Sequence, residues 1–475
     1  MYSIETSPES STSFSGIHSD AARLAMRDPG AVHGFVAATE TLTALGHGGS
    51  ESLALLLERS DGSRFVRKIL DEGLMTARWD PLGKDVMLPP WRKAKQQAAY
   101  LRALPHSVRD LFPRVLAISE RTEFVAGGPT GQVERRQLIY DMTYVPGIEV
   151  SRFVAQHRPS PRVVAALYTC ILRMLRTHIH CERRRAPRGP TLETSYFQKI
   201  EQRLGLCQRT VPHTFSDALI HAPTLRLDGR DQVNALAVVE RLRARPEALS
   251  ILEPRWHSLV VGDTNTENIK ILHPEILLDL PDDVSIERPP FTWEQIGLRF
   301  MDPRAIGFHE DGVDTGSDDP MYDAKPWHNS VGNYDLIHGE HFDLHLDTSG
   351  TVPELAVDFH RDHPYARSYA GIEQHFPAVM RGAWDVHDPR GDLAREDPWW
   401  AIRFAFVMGT HFAAMPPFHL TKTQSGVALD DPQLQKRALG VYREGVRWLN
   451  LALDLIDGRT DHLFGVPVAT PRRGA

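Results

Sequence analysis

Asp263 and Asn268 lie five residues apart in a polar segment between two β-prone runs. The runs Leu259 to Val261 and Ile269 to Leu272 predict a strand on each side of a short loop. An aspartate in such a loop can accept the proton of an attacking hydroxyl, and an asparagine can offer a neutral oxygen to Mg²⁺. The spacing therefore favours phosphoryl-transfer chemistry, although both residue types also fill polar loops by bonding to nearby backbone.

A further acidic residue, Asp302, follows a short apolar stretch in Arg-Phe-Met-Asp-Pro-Arg-Ala-Ile-Gly. Mg²⁺ prefers a few hard oxygen ligands together with phosphate oxygens, so Asn268 and Asp302 at two strand ends would suffice to bind it. The two segments together resemble the aminoglycoside and choline kinase-type phosphotransferases, whose hallmark is His-Gly-Asp-x-x-x-x-Asn followed by Asp-x-(Asp or Arg). The resemblance implies Asp263 as catalytic base and Asn268 with Asp302 as Mg²⁺ ligands.

The resemblance also implies an α+β, bilobal protein kinase-like fold that binds ATP. Its small N-terminal lobe is expected to be an antiparallel sheet, and its larger C-terminal lobe mainly helical. In the small lobe, the glycine-rich run with Gly46, Gly48, Gly49 and Ser50 predicts a phosphate-binding loop, because glycines let backbone N–H groups approach phosphates.

A hairpin is predicted directly after the glycine run, with its tight turn at Asp61-Gly62 and Lys68 on the return strand. A lysine there matches the nucleotide-clamping lysine of the kinase-like fold. The alternative is a turn followed by an exposed strand lysine. The next helix, predicted from Pro90 to Leu104, offers Gln96 and Gln97 where the family has a glutamate. We expect Gln97 to contact Lys68 through a hydrogen bond that is weaker than the one a carboxylate would form.

Two further segments resemble parts of the same family. Met142, Thr143 and Val145 lie in a strand that runs into a Pro-Gly turn, which resembles the interlobe linker that binds adenine through its backbone. The run Asp-Pro-Met-Tyr-Asp-Ala-Lys resembles a segment in which the second aspartate, here Asp323, braces the catalytic loop. A simple helix cap is the alternative for Asp323, because acids are favoured at helix N-termini.

Two departures from the family pattern bear on activity. Val261 stands where the family has histidine, two residues before Asp263, and Gln97 stands where it has glutamate. The main hypothesis is an ATP-dependent phosphotransferase that phosphorylates a hydroxyl of a small molecule or of a biosynthetic peptide. The alternative is a nucleotide-binding pseudokinase that regulates a partner protein.

Composition restricts the class of protein. The chain has 475 residues, of which 41% are hydrophobic, and its net charge of −7 gives no general attraction to nucleic acid or to anionic membranes. Three cysteines without metal-ligand spacing favour the reducing cytoplasm. Histidines and aspartates cluster twice, at His338, His341, Asp343 and His345 and at Asp358, His360 and His363, but the spacing fits no specific ligand pattern. We expect loop histidines that bond carboxylates or line an acceptor site, and Asp358 to His363 keeps a metallohydrolase as a minor alternative.

The predicted organisation has four parts. Residues 1–40 are a flexible tail and helical lead-in, 41–144 the nucleotide-binding lobe, 145–460 the catalytic and acceptor-binding lobe, and 461–475 a tail. Ser160-Pro161 should begin a helix, and residues 188–250 should form a helical insertion. Trp399 to Met415 and Gln433 to Ile456 should be helices near the end of the chain.

Overall fold

The computed structural model describes residues 32, 34–45, 52–71, 90–126, 132–304, 316–384, 393–422 and 427–469. The described chain begins with a five-stranded antiparallel sheet in the order β1-β2-β3-β5-β4. Its elements are β1 (Glu40–Leu45), β2 (Leu53–Arg59), β3 (Arg64–Asp71), helix α1 (Pro90–Ala103), β4 (Val115–Ala126) and β5 (Gln132–Thr143). This sheet and α1 form the small lobe.

The hairpin of β2 and β3 is the one predicted from the sequence. Leu53, Leu55 and Leu57 alternate along β2 and are buried, because successive side chains of a strand point to opposite faces. At the turn, the backbone N–H of Ser63 donates to the Asp61 carboxylate at 2.9 Å. The pairing of Ala54 with Lys68 places Lys68 on β3, and α1 packs on the neighbouring part of the sheet.

The large lobe is mainly helical. Its α-helices are α2 (Val150–His157), α3 (Pro161–Met174), α4 (Gln198–Thr210), α5 (Asp217–Ile220), α6 (Ala235–Arg243), α7 (Pro246–Leu252), α8 (Glu275–Leu278), α9 (Pro326–Asn329), α10 (Tyr334–His338), α11 (Ala366–Tyr369), α12 (Phe376–Trp384), α13 (Leu393–Glu396), α14 (Trp400–Ala413) and α15 (Lys436–Ile456). Tighter or wider turns occur at Arg109–Leu111, Leu175–Ile179, Leu192–Phe197, Thr266–Asn268, Pro320–Asp323, Ile372–His375 and Pro416–His419. The α+β, bilobal fold class is therefore confirmed.

Short strands join the helices of the large lobe. They are β6 (Ile148–Glu149), β7 (Thr224–Leu227), β8 (Arg230–Val233), β9 (Ser258–Leu259), β10 (Ile269–Ile271), β11 (Arg299–Phe300), β12 (Ser317–Asp318), β13 (Phe342–Asp347), β14 (Glu354–Phe359), β15 (His462–Leu463) and β16 (Val466–Pro467). Strands β11, β10 and β6 form one antiparallel sheet, and β12 pairs with β9. These two small sheets hold both ends of the segment that contains Asp263.

The structure differs from the predicted organisation in three places. Residues 34–39 form turns where a helical lead-in was predicted. The insertion at 188–250 is not wholly helical, because β7 and β8 form a hairpin in which β7 also pairs in parallel with β14. The predicted tail after residue 460 contains the hairpin of β15 and β16, which packs because Leu463 is buried in the core.

Helices α14 and α15 pack closely at the centre of the large lobe. A Cβ atom at Gly409 would lie 2.7 Å from the backbone nitrogen of Leu449, and one at Gly445 would lie 2.5 Å from that of Ala413. The two glycines therefore allow the backbones of the two helices to approach closely, whereas any larger residue would push them apart. Within the described ranges, each helix is too short or too polar to cross a lipid bilayer.

Candidate active site

The loop that carries Asp263 connects β9 to β10 and ends in the turn Thr266–Asn268; residues 260–268 are called the Asp263 loop below. Gly262 has a φ of 81°, in the left-handed region that glycine enters without a Cβ clash. Asp263 follows this turn, and its side chain is only 6% exposed. A sharp glycine turn thus places a carboxylate at a nearly buried position beside the cleft.

Asp323 holds the backbone of the Asp263 loop. Its Oδ2 accepts a hydrogen bond from the backbone N–H of Val261 at 2.8 Å, and its Oδ1 accepts one from Gly262 at 2.7 Å. The ring of His180 lies 3.0 Å from the same Oδ2, and the Asp323 carbonyl accepts from the Thr264 hydroxyl at 2.7 Å. Of the two predicted roles for Asp323, the structure shows the brace.

The helix cap that was the alternative role belongs to another residue. Asp319 precedes the turn Pro320–Asp323 and accepts a hydrogen bond from the backbone N–H of Met321 at 3.0 Å. The brace by Asp323 also compensates for the first departure from the family pattern. Although Val261 has no side-chain donor, its backbone N–H is fixed by a buried carboxylate.

Two cations bind the carboxylate of Asp263. Lys325 Nζ lies 3.0 Å from Oδ1 and also donates to the carbonyl of Gly262 at 2.9 Å. Arg304 Nε lies 2.8 Å from Oδ2. Their charges favour the ionised carboxylate and fix the directions of both oxygens. Sequence reasoning did not assign a role to either residue, since only the fold brings them to Asp263.

Asn268 lies in the Asp263 loop, and Asp302 lies in a segment that is hydrogen-bonded to that loop. Asn268 Nδ2 donates to the carbonyl of Asp263 at 3.2 Å, which makes Oδ1 the Asn268 atom that can bind a cation. The backbone N–H of Met301 donates to the carbonyl of Asn268 at 2.8 Å, so Asp302 directly follows a residue tied to the loop. A carboxylate and an amide oxygen are a hard donor set that fits Mg²⁺.

Lys68 reaches across the cleft from β3 to Asp302. Its ammonium group bonds to the Asp302 carboxylate and lies 3.1 Å from Gln97 Oε1. Gln97 Nε2 donates to the same carboxylate at 2.7 Å and to the carbonyl of Pro303 at 2.6 Å. The hydroxyl of Tyr140 donates to Gln97 Oε1. Gln97 therefore contacts Lys68 as expected, and it also joins the two lobes.

The ion pair is reflected in the pKa values of both partners. Burial would lower the pKa of Lys68, but Asp302 and Tyr140 together outweigh burial and keep the pKa above its usual value. Burial would raise the pKa of Asp302, but Lys68, Arg304 and Gln97 together outweigh that effect and keep the pKa below its usual value. Both groups are thus charged at neutral pH, and Asp302 can serve as an anionic ligand.

The remaining nucleotide-side predictions have different outcomes. Gly46, Gly48, Gly49 and Ser50 lie outside the described residues.

In the linker, Met142 is buried in the sheet opposite Val66 and Val115. The N–H of Thr143 donates to the Arg114 carbonyl at 2.9 Å, and the Val145 carbonyl accepts from Lys270 at 3.3 Å. These two groups have protein partners here, and adenine binding by the linker stays a prediction.

The histidine-rich segments do not converge on a metal site. His338 lies 3.1 Å from Glu267, and His360 lies 3.4 Å from Asp343. In the part of the chain that the structure describes, no group of three or more His, Cys, Asp or Glu side chains could hold a metal ion. The histidines at these positions instead contact carboxylates or other rings.

Solved structures of small-molecule phosphotransferases resemble the chain. A macrolide 2'-phosphotransferase type I is 14% identical to this chain. The match covers 82% of this chain and 97% of that enzyme, with a TM-score of 0.24. A glucosamine kinase is 12% identical to this chain. The match covers 89% of this chain and 92% of the kinase, with a TM-score of 0.25. Glucosamine kinase in complex with glucosamine, ADP and inorganic phosphate is 12% identical to this chain. The match covers 90% of this chain and 95% of the kinase, with a TM-score of 0.21.

The likeness concerns the fold alone, and the roles of individual residues depend on the contacts described above. No protein-family model and no curated sequence matches the chain.

Proposed function

We propose that the protein is an ATP-dependent phosphotransferase that phosphorylates a hydroxyl of a small molecule or a biosynthetic peptide. The observation that supports the proposal is a chain of contacts: Asn268 bonds to the Asp263 carbonyl, Met301 beside Asp302 bonds to the Asn268 carbonyl, and Lys68 bonds to Asp302 from the other lobe. The proposed nucleotide-binding lobe is 41–144, and the proposed catalytic and acceptor-binding lobe is 145–460. The three cysteines, Cys170, Cys181 and Cys207, form no disulfide bond with one another, which supports a cytoplasmic location.

Each side chain has a defined task in this proposal. Lys68 binds phosphate oxygens of ATP after leaving Asp302, and the glycine segment from Gly46 to Ser50 covers the phosphates. Asn268 and Asp302 would hold Mg²⁺, which neutralises charge on the phosphates when bound. Asp263 orients the acceptor hydroxyl and takes its proton. The acceptor oxygen then forms a bond to the γ-phosphorus as the bond to the leaving ADP oxygen breaks.

Lys325 and Arg304 tune this step through Asp263. Lys325 bonds to one oxygen of the Asp263 carboxylate and Arg304 to the other. The transition state of phosphoryl transfer is loose, so orientation of the hydroxyl matters more than complete proton removal. The bonds to Lys325 and Arg304 fix the carboxylate for that orienting role.

The test is a panel of hydroxyl compounds incubated with the protein, ATP and Mg²⁺. Mass spectrometry should show one acceptor that gains the mass of a single phosphate group only when both ATP and Mg²⁺ are present. The glutamine at position 97, which replaces the glutamate of the family pattern, favours the second candidate, a nucleotide-binding pseudokinase. Tight Mg²⁺–ATP binding without transfer to any compound of the panel would select that candidate.

A further inference from the structure

Two lysines flank the ring of Tyr322 on the large-lobe side of Asp263. Lys325 Nζ lies 4.9 Å from the ring centroid, in addition to its contact with Asp263. Lys199 Nζ lies 5.0 Å from the same centroid and donates to the phenol oxygen at 3.3 Å. One aromatic ring therefore separates the Lys199 ammonium from the ammonium that contacts the proposed base.

Two arginines approach the same region over another ring. Arg304, which binds Asp263, has its Cζ 5.9 Å from the centroid of Phe418. Arg203 has its Cζ 4.9 Å from that centroid and donates to the carbonyl of Ala414 at 3.0 Å. Phe418 and Tyr322 thus each carry one cation that touches Asp263 and one that lies further out.

The outer cations, Lys199 and Arg203, come from one face of α4. They are four residues apart, so they are neighbours on the helix surface, where like charges repel. Both side chains are partly exposed. They contact Tyr322 and Phe418, the rings that Lys325 and Arg304 also contact, and an anionic ligand beside these rings would offset the repulsion.

The pKa of Tyr322 indicates an excess of positive charge around its phenol group. Burial would raise the pKa of Tyr322, but Lys199, Lys325 and Arg203 outweigh burial and lower it to about 8. Burial and then Lys325 also lower the pKa of His411, whose ring centroid lies 4.1 Å from that of Tyr322. Carboxylates in this region include Asp263 and Asp318, on which Lys199 also acts.

We propose that the acceptor is a hydroxyl compound carrying a phosphate monoester or a carboxylate, which Lys199 and Arg203 bind while Asp263 receives the hydroxyl. This inference rests on the proposed phosphotransferase function and specifies its substrate class. An anionic group would form charge-assisted hydrogen bonds with the two outer cations. A polycationic acceptor would be repelled by the same groups, because like-charge contacts are unfavourable at short range.

The binding test uses inorganic phosphate and, for the carboxylate arm, citrate, each titrated by calorimetry into the purified full-length protein. We expect Lys199→Met and Arg203→Met to weaken binding of at least one probe by about tenfold or more. Lys199→Arg should restore affinity, because it keeps the charge. Lys95→Met is the matched control, since Lys95 is 53% exposed and pairs with Glu120 on the small lobe. Lys199→Gln replaces Lys199→Met if the latter does not fold.

The outcomes separate the inference from the proposed function. Equal affinity in wild type, Lys199→Met and Arg203→Met, or no binding of either probe to wild type, would overturn the inference. Transfer to an anionic acceptor at an unchanged rate in Lys199→Met would overturn it while leaving the phosphotransferase intact. Binding that depends on Lys199, with no transfer to any hydroxyl compound, would support the anion site and refute the phosphotransferase.

Discussion

The two sides of the cleft hold their charged groups in different ways. On the large-lobe side, the Asp263 loop is fixed through its backbone by the buried side chain of Asp323, at 2.8 and 2.7 Å. On the small-lobe side, Lys68 and Gln97 bond to Asp302, a group of the other lobe. The loop is therefore held by the protein alone, whereas under the proposed function Lys68 and Gln97 must exchange partners when ATP binds.

The comparison assigns stability and binding to different residues. Removing a buried group that holds loop backbone should cost folding free energy, because donors are left without partners. Removing one member of the Lys68–Asp302 pair should change the affinity for nucleotide more than the free energy of unfolding. Substitutions on the two sides of the cleft should therefore distinguish a loss of folding free energy from a loss of nucleotide binding.

Asp302→Asn should abolish Mg²⁺-dependent phosphate transfer, because the proposed pair of ligands would lose its anionic member and two neutral amide oxygens attract a dication less strongly. The variant should also melt at a lower temperature than wild type without nucleotide, since Lys68 loses its anionic partner. Transfer assays and thermal melts with and without Mg²⁺–ATP measure the two effects. Full activity in the variant would remove Asp302 from the metal site.

Asp323→Ala should destabilise the fold by roughly 3 kcal/mol, because two buried backbone N–H groups lose their acceptor at about 1–3 kcal/mol each. Urea unfolding gives the change in free energy. Asp343→Ala is the control, since the Asp343 side chain is 83% exposed. A stability loss no larger than that of the control would show that the loop is not held by Asp323.

Lys68→Ala should weaken ATP binding or lower turnover by about tenfold or more, which corresponds to roughly 1.4 kcal/mol. Lys95→Ala, an exposed lysine on α1, should have no such effect. The measurements are calorimetric titration with Mg²⁺–ATP and steady-state turnover. Titration curves and turnover equal to those of wild type would refute the role of Lys68.

Asp335 provides a pH dependence of stability. Its carboxylate accepts from Asn329 Nδ2 at 2.6 Å, and Asn329 in turn accepts from the backbone of Thr266 in the Asp263 loop at 3.1 Å. Burial raises the pKa of Asp335 to about 7, although bonds from Tyr369 and Asn329 oppose the rise. The folded protein thus keeps a proton that the unfolded chain releases near pH 4, at about the ordinary aspartate pKa.

Stability from this group is therefore lost as the pH rises from about 4 to about 7, because the folded state binds more protons than the unfolded state over that interval. Asp335→Asn cannot titrate, so its melting temperature should change less than that of wild type between about pH 5 and about pH 8. Thermal melts at the two pH values measure the difference. Identical pH dependence in both proteins would show that Asp335 does not carry the proton.

The sequence predicted the elements whose causes are local. The hairpin with Lys68 follows from alternating leucines and a turn at Asp61-Gly62, and helix α3 follows from proline at its first position. The contact of Lys68 with Gln97 was also predictable, because the family resemblance places a partner on the next helix. Each of these depends on spacing within a short segment or on one familiar pair.

The missed features depend on long-range packing. Lys325 and Arg304 bind Asp263 from positions that follow it by about 40–60 residues, and spacing along the chain does not encode such contacts. The β7 hairpin was missed because its pairing with β14 joins segments far apart in the chain. Asp323 was recognised only as a choice between two roles, which its contacts with Val261 and Gly262 then decide.

The most direct test of the central claim is Asp263→Asn, measured by single-turnover phosphate transfer and by Mg²⁺–ATP titration on the same preparation. The substitution keeps the shape of the side chain but removes the proton acceptor, and general-base assistance is worth about 10²- to 10⁴-fold. We expect transfer to fall by that factor, toward its lower end if the transition state is loose, while ATP affinity stays within severalfold. Transfer at the wild-type rate would contradict the account and remove Asp263 from the mechanism.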